Sequence, residues 1–189
     1  MPPRRRSRLS GSLKTGPENA VVTPRLDLLP LRIADADEMV GVLADPRLYS
    51  FVGGGPPSRD ALRARYARQT VGHSADGTEV WHNWIVRLRP AGDAIGFVQA
   101  TVSEAGELAD VAWLIGVPWQ GRGFAVESTR ALIGWLERRR VRTIVAHIHP
   151  DHRASAAVAA RVGFEPTDEI DAAGERIWRV VPAGVDANR

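Results

Sequence analysis

The feature that most constrains this chain is residues 108–136, LADVAWLIGVPWQGRGFAVESTRALIGWL, where three local patterns follow one another. Residues 109–117 form an apolar run of strand length. A glycine-bearing bend follows, Gln120-Gly121-Arg122-Gly123-Phe124-Ala125. Beyond it Ala125, Thr129, Leu132, Ile133 and Leu136 recur at helical spacing on one face. The same alternation of strands and helices continues along the chain, with a hairpin in the middle. That pattern indicates an α+β or mixed α/β sheet.

The bend also carries chemistry. Small residues at 121, 123 and 125 let the backbone approach a ligand without side-chain collision. A helix beginning there leaves several N–H groups without intrahelical acceptors. With the positive end of the helix dipole, those donors suit phosphate. Arg122 adds a guanidinium that can bond phosphate oxygens bidentately. A dinucleotide fold would need G-x-G-x-x-G here, and G-R-G-F-A-V lacks the third glycine.

Elsewhere the sequence punctuates itself clearly. Residues 25–31 read as a strand and 35–44 as a helix, with Asp35 and Glu38 spaced as a capping box. Ser58 caps a second helix running to Gln69. Strands over 84–89 and 94–102 flank the turn Ala91-Gly92-Asp93. Residues 141–149 form a buried strand, and a helix over 153–162 stops at Gly163. A last strand covers 175–181. The 189 residues suit one domain over 21–183, between a basic arm (1–20) and a frayed end (184–189).

Composition narrows the function. The absence of cysteine removes disulfides, thiol nucleophiles and Cys-based metal sites, and fits a cytoplasmic location. No apolar run is long enough for a bilayer, so no membrane partner is expected. A net charge of +3 is too small to indicate a nucleic-acid binder. The cluster Arg4-Arg5-Arg6 with Arg8 reads as a solvated tail. His147, His149 and His152 lie close in sequence with no acidic or Cys partner at ligand spacing, so no metal is expected.

Q-x-x-G-x-A after an apolar strand resembles the acyl-coenzyme A signature of the GNAT acetyltransferases. The surrounding D-V-A-W-L-I-G-V-P-W-Q-G-R-G-F-A-V-E-S resembles the branch that includes the ribosomal-protein-alanine acetyltransferases. T-P-R-L-D-L-L-P-L at 23–31 resembles that family's opening strand. In H-P-D-H-R-A-S-A-A-V-A-A-R-V-G-F-E-P, Pro150, Ser155, Gly163 and Phe164 match its second signature, whereas His152 stands where that branch usually has Asn. The resemblance covers about residues 23–182. It implies six or seven mostly antiparallel strands, splayed between 109–117 and 141–149, with about four flanking helices. It also implies acetyl-CoA as acyl donor. The pantetheine arm would pair with the backbone of Ile115, Gly116 and Val117. The diphosphate would lie on the turn formed by Gln120, Gly121, Arg122, Gly123, Phe124 and Ala125, with His152 and Ser155 as further contacts. Residues 47–71 would wall an acceptor pocket, with Tyr49, Phe51 and Tyr66 as candidates. Trp81 and Trp84 are candidates for flanking the substrate.

Acyl transfer to an amine needs a proton acceptor, because a lysine-type amine has a pKa near 10.4. Asp110, where this branch often carries Glu, is the candidate. Ser155 and His152, three apart at a helix start, are candidates to protonate the leaving thiolate; Ser155 equally suits capping that helix. Without cysteine, direct attack in a ternary complex is expected. The resemblance implies a primary amine as acceptor, on a protein N-terminus or a small molecule. Two other readings stay open: a non-catalytic CoA-binding module, and a ribosome- or RNA-associated factor using the basic arm. Monomer and homodimer are both compatible with the sequence.

Overall fold

The computed structural model describes residues 19–182, so the Arg4–Arg8 cluster and the 184–189 tail lie outside the described residues. Eight strands form one sheet: β1 (Val21–Val22), β2 (Leu26–Pro30), β3 (Glu79–Leu88), β4 (Ala94–Ser103), β5 (Leu108–Ile115), β6 (Thr143–Ile148), β7 (Glu165–Ile170) and β8 (Arg176–Val180). Their spatial order is β1-β2-β3-β4-β5-β6-β8-β7. Every neighbouring pair is antiparallel except β5–β6, which is parallel.

The four α-helices among the described residues are α1 (Ala36–Val42), α2 (Arg59–Gln69), α3 (Phe124–Arg138) and α4 (Arg153–Arg161). Strand alternation sends residues to two separate cores. Trp84, Val86, Val98 and Ala146 pack with Leu132, Leu136 and Ala159 of α3 and α4. Ile85, between Trp84 and Val86, packs instead with Met39, Leu62 and Tyr66 of α1 and α2. The two helix pairs therefore cover opposite sides of the sheet.

β5 and β6 are in register only at Leu108↔Thr143, Ala109↔Ile144 and Asp110↔Val145. Beyond these pairs β5 stays bonded to β4 and β6 to β8. The two strands part, and a wedge opens towards the end of β5.

Several local readings change. The expected capping box does not form: Asp35 accepts from the Arg32 backbone N–H (2.8 Å), and Glu38 accepts from the Ala94 N–H (2.6 Å). A 3₁₀ turn over Ile33–Asp35 precedes α1 and puts Asp35 inside the first turn. Arg87 also bonds both carboxylates, which draws them from the helix end to the sheet. β7 is mostly exposed and lies at the sheet edge, so it lacks the apolar alternation that marks a strand. The fold also begins before residue 21. Asn19 is buried; its carbonyl accepts from Trp84 Nε1 (2.8 Å) and its side-chain oxygen from Arg139 (3.0 Å).

Arg139 belongs to an aromatic stack. Its guanidinium lies 3.5 Å from the Trp135 ring centroid, and Trp135 meets Trp84 (4.8 Å) and His82 (4.7 Å) edge-on. Burial, and secondarily the Arg139 charge, lower the His82 pKa to about 4. The unfolded chain binds that proton near 6.5, so stability present above pH 6.5 is lost as pH falls towards 4. His82→Gln is expected to flatten the fall in Tm across that window; an unchanged Tm–pH slope would count against it.

The residue after the α3 cap, Arg140, has φ 63°, and the Val141 N–H reaches back to the Leu136 carbonyl (3.2 Å). This helix ending favours glycine. Arg140→Gly is expected to stabilise the fold by about 1 kcal/mol in urea titration.

Candidate active site

The wedge between β5 and β6 opens into a cleft of about 670 Å³. Val111–Ile115 and Ala146–His149 form its floor, and the 120–126 bend, the start of α4 and the 47–52 loop form its walls. At the bend, Gly121 and Gly123 have φ of 73° and 81°, in the left-handed region where glycine avoids the Cβ penalty. The backbone N–H groups of residues 121–126 have no acceptor among the described residues, and intrahelical bonding resumes with Glu127 N–H to the Gly123 carbonyl (3.0 Å). Six successive donors thus stand free at the positive end of a 15-residue helix. That arrangement suits a multiply charged anion.

The side chains of the bend support it. Gln120 Nε2 donates to the Ile115 carbonyl (2.8 Å), tying the bend to the end of β5. The Phe124 side chain is buried, with the guanidinium of Arg25 4.7 Å and that of Arg122 5.0 Å from its ring centre. Arg25 also donates to the Arg122 carbonyl (3.1 Å) and pairs with Glu127 (2.6 Å). Thr23 Oγ1 and the Arg25 N–H bond the same carboxylate (2.6 and 3.0 Å). No local spacing tied Arg25 to the bend, because its partners there lie about a hundred residues away.

Gly116 corrects the expected backbone edge. Its N–H donates to the Ile95 carbonyl (2.8 Å), so it faces β4 and is unavailable to a ligand in the wedge. Since alternate residues of an antiparallel strand face each neighbour, Trp113 and Ile115 turn their amides to the gap. The Val117 carbonyl accepts from the Gln120 N–H (3.2 Å).

The aromatic candidates separate. Phe51 lines the cleft and stacks on His152 (4.5 Å between centroids, 17° between planes). Tyr49 does not; its hydroxyl donates to the Leu43 carbonyl (2.9 Å). Tyr66 and Trp84 are buried, and Trp81 Nε1 donates to Glu79 (3.0 Å). These four lie outside the cleft lining.

Ser155 and His152 both line the cleft. Ser155 Oγ has no partner among the described residues and does not cap α4; His152 occupies the N-cap position without a side-chain cap bond. Burial first, then the nearby His149, lowers the His152 pKa, which favours the neutral ring.

Asp110 is half exposed and sits one step below the cleft. Its Oδ2 lies 3.5 Å from Nε2 of His147, which does line the cleft. The other ring nitrogen of His147, Nδ1, lies 2.6 Å from Asp171 Oδ2. Burial pushes the Asp110 carboxyl upward, and His147 opposes that shift. Asp171 is held below its ordinary range by the Glu175 N–H (2.9 Å) and then by His147. One atom each from His147, Asp171 and Glu175 converge within 4.8 Å, which supplies the acidic neighbours that sequence spacing did not show. The short His147–Asp171 hydrogen bond accounts for this cluster, and no metal is assigned to it. One signal was available: His147 is a polar residue inside the otherwise apolar run 144–148 of β6.

No helix of the described residues is long and apolar enough to cross a membrane. Residues 25–165 match the model of the acetyltransferase (GNAT) domain family. No curated protein matches the sequence. Among solved structures, an acetyltransferase from Agrobacterium tumefaciens is 25% identical with a TM-score of 0.69, covering 86% of this chain and 94% of its own. The ribosomal α-N-protein acetyltransferase RimL, in complex with coenzyme A, is 18% identical with a TM-score of 0.73, covering 86% and 97%. An aminoglycoside acetyltransferase in complex with coenzyme A is also 18% identical, with a TM-score of 0.69 and coverage of 82% and 94%.

The Glu127 carboxylate joins the start of β2 to the first turn of α3, and its side chain is only 16% exposed. Glu127→Ala is expected to cost about 2 kcal/mol, because it removes several hydrogen bonds to one charged group. Urea denaturation measures this; a cost below about 0.5 kcal/mol would show that the network carries little.

Proposed function

The chain belongs to the GNAT acetyltransferase family, and we propose that it transfers an acetyl group from acetyl-CoA to a primary amine by direct attack in a ternary complex. The observation that carries this reading is the row of unbonded amides at 121–126, set at the mouth of the β5–β6 wedge. The fit is chemical. A diphosphate needs several converging donors, and an amide-containing arm needs a strand edge with free backbone groups. The bend offers the first, and β5 beyond Asp110 the second. Acetyl-CoA supplies an activated thioester.

The amides of Gly121 to Ala125 hold the diphosphate, with Gln120 fixing their geometry from behind. Trp113 and the Ile115 N–H present backbone groups to the pantetheine arm. Ser155, with a free hydroxyl in the cleft, is placed to donate a hydrogen bond to the departing sulfur. His152, packed against Phe51, shapes the wall. The acceptor enters on the α1–α2 side, where Asp110 and His147 lie. A single acetyltransferase domain contains all of these groups. Both a protein N-terminus and a small-molecule amine fit this description; neighbours of the same fold include a ribosomal-protein and an aminoglycoside acetyltransferase.

The test is calorimetric binding of acetyl-CoA, combined with thiol release in the presence of amines. Gly123→Ala places a Cβ on a left-handed residue at a cost of about 1–2 kcal/mol. It is expected to weaken acetyl-CoA binding roughly ten-fold by distorting the amide row. Unchanged affinity in the variant, or no binding by the native protein, would overturn the assignment.

A further inference from the structure

We propose that His147 is the group that takes the acceptor's proton, with Asp171 and Asp110 as the positioning residues that hold it. This rests on the acetyl-transfer reading above and moves the base from Asp110, expected from the sequence, to an imidazole that the sequence did not single out for catalysis.

The geometry begins in the β7–β8 turn. The Ala173 and Glu175 N–H groups both donate to Asp171 Oδ1 (2.9 Å each), which fixes the carboxylate. Its other oxygen, Oδ2, is left to His147 Nδ1 at 2.6 Å. A carboxylate there keeps the proton on Nδ1 and leaves the lone pair on Nε2. Nε2 points towards Asp110 on the adjoining strand (3.5 Å). The ring lines the cleft where β5 and β6 part, and its side chain is 28% exposed. Asp110 is outside the cleft lining and reaches it only through His147.

The surrounding charges favour a proton arriving on this ring. Asp110 faces it from β5, and Asp171 and Glu175 from the β7–β8 hairpin. Glu79 of β3 acts on Asp110 from further off. Among cations, Arg179 on the same face of β8 is paired with Glu169 (2.8 Å), and His149 lies just past the end of β6. An imidazolium at 147 is therefore flanked by carboxylates, as a proton acceptor beside an ammonium requires.

The proton count closes. The acceptor ammonium gives one proton to His147 Nε2, and the freed nitrogen pair forms the C–N bond to the thioester carbonyl carbon. The C–S bond breaks, the sulfur takes the second proton from that nitrogen, and the imidazolium returns the first to bulk water.

The experiment uses the full chain and the variants His147→Gln, Asp171→Asn and Asp110→Asn. Thiol release is followed from pH 5.5 to 9.5 against spermidine, kanamycin and an Ala-initiated peptide amide; acetyl-CoA binding is measured alongside. Nitrogen NMR of the five histidines reads the tautomer at pH 9 without acetyl-CoA, with His147→Gln assigning the resonance. The expected result is a native Nδ1–H tautomer at 147 that is lost in Asp171→Asn. His147→Gln should lower kcat/KM roughly 100-fold, remove its acid limb and leave acetyl-CoA affinity intact. Asp171→Asn and Asp110→Asn should move that limb to lower pH, with a smaller loss of rate than His147→Gln. A purely structural role would lower stability without moving the limb. The proposal is overturned if His147→Gln keeps the native pH profile, if Asp110→Asn is the more damaging change, or if the tautomer ignores Asp171. Native protein that binds acetyl-CoA but acetylates no probe would instead count against amine transfer itself, and the proposal would fall with it.

Discussion

β5 and β6 share a register for three residue pairs and then separate, and most of the chemistry follows from that separation. A parallel pair that continued would satisfy its own backbone groups and leave no room between them. Each strand instead stays bonded on its outer side, β5 to β4 and β6 to β8, so the opening costs only the inner ladder. Burying those unpaired groups beneath side chains would be expensive. Facing a cleft, they can pair with water or with a ligand.

The wedge also sets the positions of everything around it. At its open end β5 runs into the 3₁₀ turn Val117–Trp119 and then the glycine bend, so the free amides of α3 stand at the mouth. At its closed end Asp110 and Val145 are still paired, which brings the Asp110 carboxylate within reach of the next same-face residue of β6, His147. The free-amide end and the Asp110–His147 end are thus two ends of one β5 strand.

Rigidity behind the cleft comes from separate networks. Glu127 gathers Thr23 and Arg25, while Arg139 lies on Trp135 and bonds Asn19. Arg138-Arg139-Arg140 illustrates how a charge run divides by context. Arg139 packs and bonds inside the fold, and Arg140 turns the chain out of the helix, so neither is a free basic patch.

Much of the architecture was legible in local pattern. The apolar run, the glycine bend and the helical spacing of Leu132, Ile133 and Leu136 identified β5, the bend and α3, because these signals sit within a few residues of their cause. Ser58 as a cap and Gly163 as a stop were readable for the same reason. The polar edge strand β7 was not, since its order comes from pairing with β8 and not from burying an apolar face. The sequence alone determined that a glycine-bearing bend and a helix start would follow an apolar strand. Only tertiary structure decided that Gly116 spends its amide on β4, that Tyr66 and Trp84 are core, and that His147 meets Asp110 and Asp171. Those contacts join elements far apart along the chain, and no local spacing encodes which strands become neighbours.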